Sequence, residues 1–229
     1  MDFPGDLVEG RFKARLNRFL ALVALNGQEV AVHVANSGRM RELLVPGYRV
    51  FVRPRPAPHR KTGYDLALVD LGFTLASADA RLPNALVAEA LAEGRLPQFR
   101  EYPDIRREVT FGESRLDLML EGVLGRCYVE TKSVTLVVDG AGLFPDAPTV
   151  RGTKHLHSLA QAVGAGHRAA VVFVVQRDDC EAFAPHDAAD PEFGVTLRQS
   201  MAAGVGAFAY SCRVTEKAIT LGRSLPICL

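Results

Sequence analysis

The chain contains no apolar run near the roughly 18 residues that a membrane span requires. Its first residues, Met1-Asp2-Phe3-Pro4-Gly5-Asp6, lack the basic patch and apolar stretch of a secretion signal. Cysteine is scarce: Cys127, Cys180, Cys212 and Cys228 are the only four in 229 residues. None belongs to a CxxC pair, so neither a zinc site nor a disulfide framework is suggested. Internal repeats and low-complexity tracts are absent too. With 48% hydrophobic and 23% charged residues, wholesale disorder is excluded and a buried core is expected. These absences predict a reduced, cytoplasmic protein without a membrane partner, built as one large domain or two small ones.

Charge of one sign is lacking overall, at a net +1, but not locally. Residues 1–63 hold 11 basic and 5 acidic residues, whereas the remainder holds 16 basic and 21 acidic. A basic first quarter joined to an acidic remainder predicts two modules with different tasks. Only five of the 27 basic residues are lysines, and arginine suits phosphate recognition.

Residues 1–80 read as short strands and turns, predicting a basic β-barrel. Leu22–Leu25 and Val30–Val34 flank Asn26-Gly27, a strong hairpin signal. Arg49–Val52 follows a Pro46-Gly47 turn, and Leu66–Val69 follows the basic, proline-rich stretch Arg53–Lys61. A five-stranded barrel of the oligonucleotide-binding (OB) type fits this length and charge. From residue 81 to 229 the pattern changes. Leu86, Val87, Ala90 and Leu91 have helical spacing, with Gly94 as a stop. Strands follow at Glu108–Phe111, Arg115–Leu120 and Cys127–Lys132. A helix from about Arg151, the fully apolar strand Ala169–Val175 and a helix capped by Asp190-Pro191 complete an α/β layer plan, αβββαβ, with a mixed sheet.

Strand alternation places Glu130 and Lys132 on one face and turns Asp117 away from Leu116 and Leu118, which should share a core. If these strands pair, Asp117, Glu130 and Lys132 converge. Two neighbouring carboxylates repel, and a divalent cation relieves the repulsion. Mg²⁺ suits one or two carboxylates plus waters and substrate phosphate, and Mn²⁺ is the natural substitute. Lys132 could then orient an attacking water or a phosphate oxygen. Glu89 lies about 60° from the Leu86/Ala90 stripe and could reach the same ion. The plainer alternative is a pair of strand-edge carboxylates matched with Lys132 or Arg115.

Phosphate contacts are expected from Arg53, Arg55, Arg60 and Lys61, in a stretch too basic for a core, and from Arg151 and Lys154 at a helix N-terminus. Asn36-Ser37-Gly38, followed by Arg39, is either a simple turn or a loop whose N–H groups hold phosphate. Asp146 could cap the following helix or make an outer contact to the ion.

The αβββαβ order with Asp117 and Glu130-x-Lys132 resembles the PD-(D/E)xK nuclease superfamily, and Glu89 matches the first-helix acid that some of its members use. More specifically, the chain from Leu7 to Pro226 resembles the sugar fermentation stimulation protein A family. The resemblance is carried by 33–40 (HVANSGRM), 82–90 (LPNALVAEA), 114–117 (SRLD), 128–136 (YVETKSVTL) and 144–156 (FPDAPTVRGTKHL). Ser37, Thr131 and Ser133 stand where Thr, Val and Asn are usual, and none of these departures removes an acid or the lysine. The resemblance implies an OB-like barrel, a restriction-endonuclease-like domain and DNA binding, and the positive excess in residues 1–63 with no recognition-helix motif predicts little sequence selectivity. It also implies a role in sugar metabolism, notably maltose. Two functions are therefore expected to compete: a Mg²⁺- or Mn²⁺-dependent nuclease using Glu89, Asp117, Glu130 and Lys132, and a non-catalytic DNA-binding regulator.

Overall fold

Asn26 and Gly27 sit at φ of 50° and 81°, the left-handed conformation that a two-residue hairpin turn needs. In the computed structural model, which describes residues 1–229, they join β2 (Leu20–Leu25) to β3 (Gln28–His33). β1 (Val8–Asn17), β4 (Arg49–Pro54) and β5 (Tyr64–Asp70) complete the order β3-β2-β1-β4-β5, and a parallel β3–β5 pairing closes the ring. The result is the expected OB-like barrel, extended by β6 (Leu75–Ser77) on β5. β1 was not expected, because Arg11, Lys13 and Arg15 dilute the alternation that buries Phe12. Phe12, Val23, Val32, Val50 and Leu66 fill the barrel, with Met40 and Leu43 from the segment after β3. Full burial of each such side chain contributes about 1.5–3 kcal/mol.

The second half runs α1 (Leu82–Ala92), β7 (Asp104–Phe111), β8 (Ser114–Gly122), β9 (Gly125–Val134), β10 (Leu136–Val138), β11 (Ala141–Phe144), α2 (Val150–Gly164), β12 (Arg168–Val175), β13 (Ala182–Pro185), α3 (Pro191–Ala202), β14 (Gly206–Val214) and β15 (Ile219–Leu225). Six of these strands form a mixed sheet in the order β15-β14-β12-β9-β8-β7, parallel at β9–β12 and β12–β14. The αβββαβ core is present. β14 and β15 extend it, and β10, β11 and β13 form a small separate sheet.

β12 explains the layering. Ala170, Val172 and Val174 enter one core with α1 and the barrel residues Phe51 and Leu68. Ala169, Val171, Phe173 and Val175 enter the other, with Leu156 and Leu159 of α2 and Phe193 and Leu197 of α3. The barrel thus docks on the α1 face through apolar contacts. Asp190 caps α3 by accepting from the Phe193 N–H at 3.1 Å, as expected. The cap of α2 is Thr149, which accepts from the Gly152 N–H at 3.1 Å, so Asp146 does not cap it.

Candidate functional site

The ladder between β8 and β9 runs from Gly122↔Gly125 to Leu118↔Val129 and stops there. Beyond it, carboxylates take over backbone groups that would otherwise go unpaired. Asp117 Oδ2 accepts from the Thr131 N–H at 2.8 Å and from its hydroxyl at 2.5 Å. Glu130 Oε2 accepts from the Asp117 N–H at 3.4 Å. The strand changes face at this break: Leu116 enters the α2-side core and Leu118 the α1-side core. The expectation that both flank Asp117 on a single core face is corrected, because the alternation shifts where the strands part.

Glu130 and Lys132 share a face, with Lys132 Nζ 2.7 Å from Glu130 Oε1. His155 of α2 contacts the same oxygen through Nδ1. Arg151 Nε donates to His155 Nε2 at 3.5 Å, which assigns the proton to Nδ1 and makes His155 a donor to Glu130. Glu130, Lys132 and His155 are 4%, 8% and 5% exposed. Burial pushes the Glu130 carboxyl up, but the Lys132 charge and the His155 hydrogen bond more than offset it and hold it below the usual carboxylate range. The acid is therefore kept ionised by its neighbours.

Asp117, Glu130, Thr131 and Lys132 form one wall of a cavity of about 470 Å³ between sheet and barrel. Asn84, Arg107, Glu108, Asp146 and Arg151 line it from the second half, Arg81 from the segment joining the two halves, and Asn36, Ser37 and Gly38 from the barrel. Arg15 holds the barrel loop by donating to the carbonyls of Asn36, Gly38 and Arg39 at 3.0, 2.6 and 2.6 Å. Asp146 Oδ2 accepts from the Met40 N–H at 2.9 Å, so this acid ties the two halves together. A Cβ at Gly38 would lie 2.7 Å from Asp146 Oδ2, and only glycine permits that approach.

The structure does not bring Glu89 to this wall. Its Oε2 lies 3.1 Å from the Met1 amine and 4.0 Å from Arg95. The angular reading on α1 overlooked axial distance. Asn84, one turn into the helix, is the residue that meets Asp117, at 3.1 Å, and Glu89 lies about 7.5 Å further along the axis. Arg53 is likewise not a surface contact. β4 continues through it, and it is 7% exposed between Asp65 and Asp79 at 3.7 and 3.6 Å. Arg55 is exposed but 3.8 Å from Asp65, and Arg60 is bound to Asp65. Lys61 is exposed on a neighbouring hollow, Arg39 on another, and Asn36 and Arg151 line the cavity itself. Lys154 faces solvent 3.4 Å from Glu113.

Sequence reasoning missed Asn84, Arg81, Glu108 and His155. His155 carries a signal, since it stands four residues before Leu159 on the buried side of α2. Glu108 has none in the sequence. It adopts φ of 57° within β7 and receives Arg115 at 2.9 Å, a conformation that costs about 1–3 kcal/mol for a non-glycine residue.

The donor set fits a hard, oxygen-seeking cation. Glu130 Oε1 is engaged, but Oε2 has only its 3.4 Å contact. Asp117 Oδ2 is engaged, but Oδ1 has one contact at 3.1 Å. Each acid keeps a lightly used oxygen, and no group of three or more His, Cys, Asp or Glu is arranged to hold an ion. Thiol chemistry is remote, because burial pushes Cys127 up to about 12 and Cys180 up to about 11. No helix is long and apolar enough to cross a membrane.

Residues 14–77 match the SfsA N-terminal OB domain, and residues 81–218 match the sugar fermentation stimulation protein RE domain. The chain is 45% identical over 222 residues to a sugar fermentation stimulation protein homologue of Desulforamulus reducens, covering 97% of this chain and 92% of the other. The homologue of Chloroflexus aggregans is 46% identical, over 96% of this chain and 85% of its own. SfsA of Pyrococcus furiosus, solved in complex with Ca²⁺, superposes with a TM-score of 0.91 at 29% identity, covering 100% of this chain and 98% of that one.

Proposed function

Starting from the fact that this chain belongs to the sugar fermentation stimulation protein family, we propose that Asp117, Glu130 and Lys132 form a divalent-metal-dependent phosphodiesterase site acting on nucleic acid. One observation carries the reading. Two oxygen-donor acids and a recessed lysine meet on the wall of a cavity that Arg81 and Arg151 also line. Asp117 and Glu130, each with a lightly used oxygen, would hold Mg²⁺ or Mn²⁺. The ion, when bound, lowers the pKa of a coordinated water and offsets charge on the phosphate. Lys132, anchored on Glu130, orients the attacking water or a phosphate oxygen. Asn84 and Thr131 fix Asp117, while His155 fixes Glu130 from α2. Arg151 pairs with phosphate oxygens, and Arg81 does so through the Nη1 that its bonds to Asp65 and Asp79 leave free. The Ca²⁺ in the Pyrococcus furiosus relative supports an oxygen-ligand site of this class. DNA is the proposed polymer, bound with little sequence selectivity, because the cations reach backbone and no recognition helix is present.

A second reading has its own observation. No third acid joins the pair, and Lys132 and His155 already occupy Glu130 Oε1. That arrangement suits a DNA-binding regulator of sugar metabolism without turnover. Calorimetric Mn²⁺ titration of the wild type, Asp117→Asn and Lys132→Ala separates the two. It is run beside single-stranded, duplex and branched DNA and RNA substrates, with and without Mg²⁺ or Mn²⁺. The phosphodiesterase reading expects wild-type binding and cleavage, loss of both in Asp117→Asn, and metal binding without cleavage in Lys132→Ala. Metal binding with no cleavage by the wild type supports the regulator. No metal binding, with or without nucleic acid, discards the site.

A further inference from the structure

Two further hollows adjoin the cavity. One, of about 570 Å³, is lined by Arg15, Arg18, Arg39 and Arg41 and shares Ser37, Gly38 and Ala147 with the cavity. The other, of about 380 Å³, is lined by Phe19, His33, Arg60 and Lys61 and shares Arg81 with the cavity and Asn17 with the first hollow. The three form a continuous path around one end of the barrel. Neither added hollow has a carboxylate in its wall, although the whole chain is nearly neutral at +1. Arg18, Arg39, Arg41 and Lys61 are exposed and make no salt bridge. Between these cations the Phe19 ring stands 47% exposed on the β1–β2 turn, with the His33 ring beside it at 6.3 Å between centroids.

We infer that this path binds single-stranded nucleic acid, with a base stacked on Phe19 and the backbone on Arg18, Arg39, Arg41 and Lys61, leading one phosphate past Arg81 into the cavity. The inference rests on the nucleic-acid reading above and deepens it by naming the form of the strand. An acid-free cationic track is complementary to a phosphate chain, and an exposed ring set within it is a stacking platform that only an unpaired base can use. Glu130 and Lys132, 4% and 8% exposed, are recessed groups that a threaded strand reaches and the flank of a duplex does not. Phe73, more exposed still at 75%, belongs to neither hollow and serves as the comparison ring.

The test is binding of end-labelled 20-mers in EDTA, which silences metal chemistry. The arms are one sequence as single-stranded DNA, the same strand as RNA, and its duplex. Variants are Phe19→Ala, Phe73→Ala and the triple Arg18→Ala/Arg39→Ala/Arg41→Ala, each checked for folding by its thermal transition. The expected result is tighter binding of one single-stranded arm than of duplex. Phe19→Ala should weaken it roughly 5- to 100-fold and Phe73→Ala should leave it unchanged. The triple variant should lower the slope of log affinity against log salt by about 2. Preference for duplex, or wild-type affinity in Phe19→Ala, overturns the single-strand path and leaves the nucleic-acid reading standing. No binding in any arm overturns both.

Discussion

Two buried acid clusters, one around Asp65 in the barrel and one around Glu130 in the sheet, differ in how many cations surround each acid. Asp65, 0% exposed, receives Arg60 on one oxygen and Arg81 on the other at 3.0 Å, with Arg53 and Arg55 within 4 Å. Asp79 takes the second and third bonds of Arg81 at 2.6 and 2.8 Å. Both oxygens of Asp65 are saturated, so the cluster closes on itself and joins β4 and β5 to the start of α1. Glu130 has Lys132 and His155 on one oxygen and little on the other. A buried acid with cations on every side is a strut, whereas one with a lone pair left over beside a cavity is equipped to take a ligand.

The largest effect expected from breaking this contrast is at the closed cluster. Asp65→Asn leaves Arg53 charged and 7% exposed. Removing one partner of a buried pair costs about 3–5 kcal/mol, and the remaining Asp79 places this case near 3 kcal/mol. Denaturant unfolding measures it, and Mn²⁺ titration of the same variant should match the wild type. A loss under about 1 kcal/mol would show that the cluster is no strut.

Glu130→Gln should act the other way round, abolishing Mn²⁺ binding at a smaller stability cost of about 1–2 kcal/mol. Mutual repulsion of two carboxylates would predict a fold left intact or slightly more stable by such a change. The structure reverses that expectation, since Lys132 and His155 stabilise the charged acid and Lys132 would keep only a neutral amide oxygen in its place. A gain in stability would restore the repulsion picture and count against the pairing.

The two acids also predict the acid limb of the stability profile. In Asp65 burial pushes the pKa up, but hydrogen bonds from Arg81 and Arg60 more than offset it and the carboxyl lies below its ordinary value. Glu130 is depressed likewise. A depressed acid contributes stability that is present above its unfolded pKa of about 4 and lost as pH falls through the lower folded value. Wild-type stability should therefore decline below about pH 4, and Asp65→Asn should flatten that decline. An unchanged acid slope in the variant would assign the effect to other groups.

How much of this was legible follows from where each contact lies in the chain. Glu130 and Lys132 are two residues apart, so alternation alone put them on one face. The Asn26-Gly27 turn and the Asp190-Pro191 cap are local in the same sense. Arg53 was misread because its partners, Asp65 and Asp79, lie 12 and 26 residues away and Pro54 and Pro56 suggest a loop. Asn84 and His155 meet their acids across 33 and 25 residues, after tertiary folding has chosen which turn of each helix faces the sheet. Glu89 failed for the same reason, since angle around a helix is written in the sequence and height along it is not.

A third carboxylate extends the comparison to zero cations and gives the smallest effect. Glu42 Oε1 is buried without a hydrogen-bond partner. Burial pushes its pKa up and the Asp146 charge adds to this, while its own backbone N–H and the Arg177 charge oppose. Arg177 is already bound to Asp179 at 2.6 Å, so no cation is free for Glu42. A raised acid contributes stability that is complete below its unfolded pKa, about 4.3, and lost as pH rises through the folded value. Raising the pH towards neutral therefore costs stability through Glu42, opposite in sign to Asp65 and Glu130. Glu42→Gln removes that charge while keeping shape, and should raise stability by roughly 0.5–1 kcal/mol at pH 7. Below about pH 4 both side chains are neutral and the gain should vanish. Paired thermal melts at pH 7 and pH 4 read the difference. An equal gain at both pH values would trace it to packing and remove Glu42 from the series.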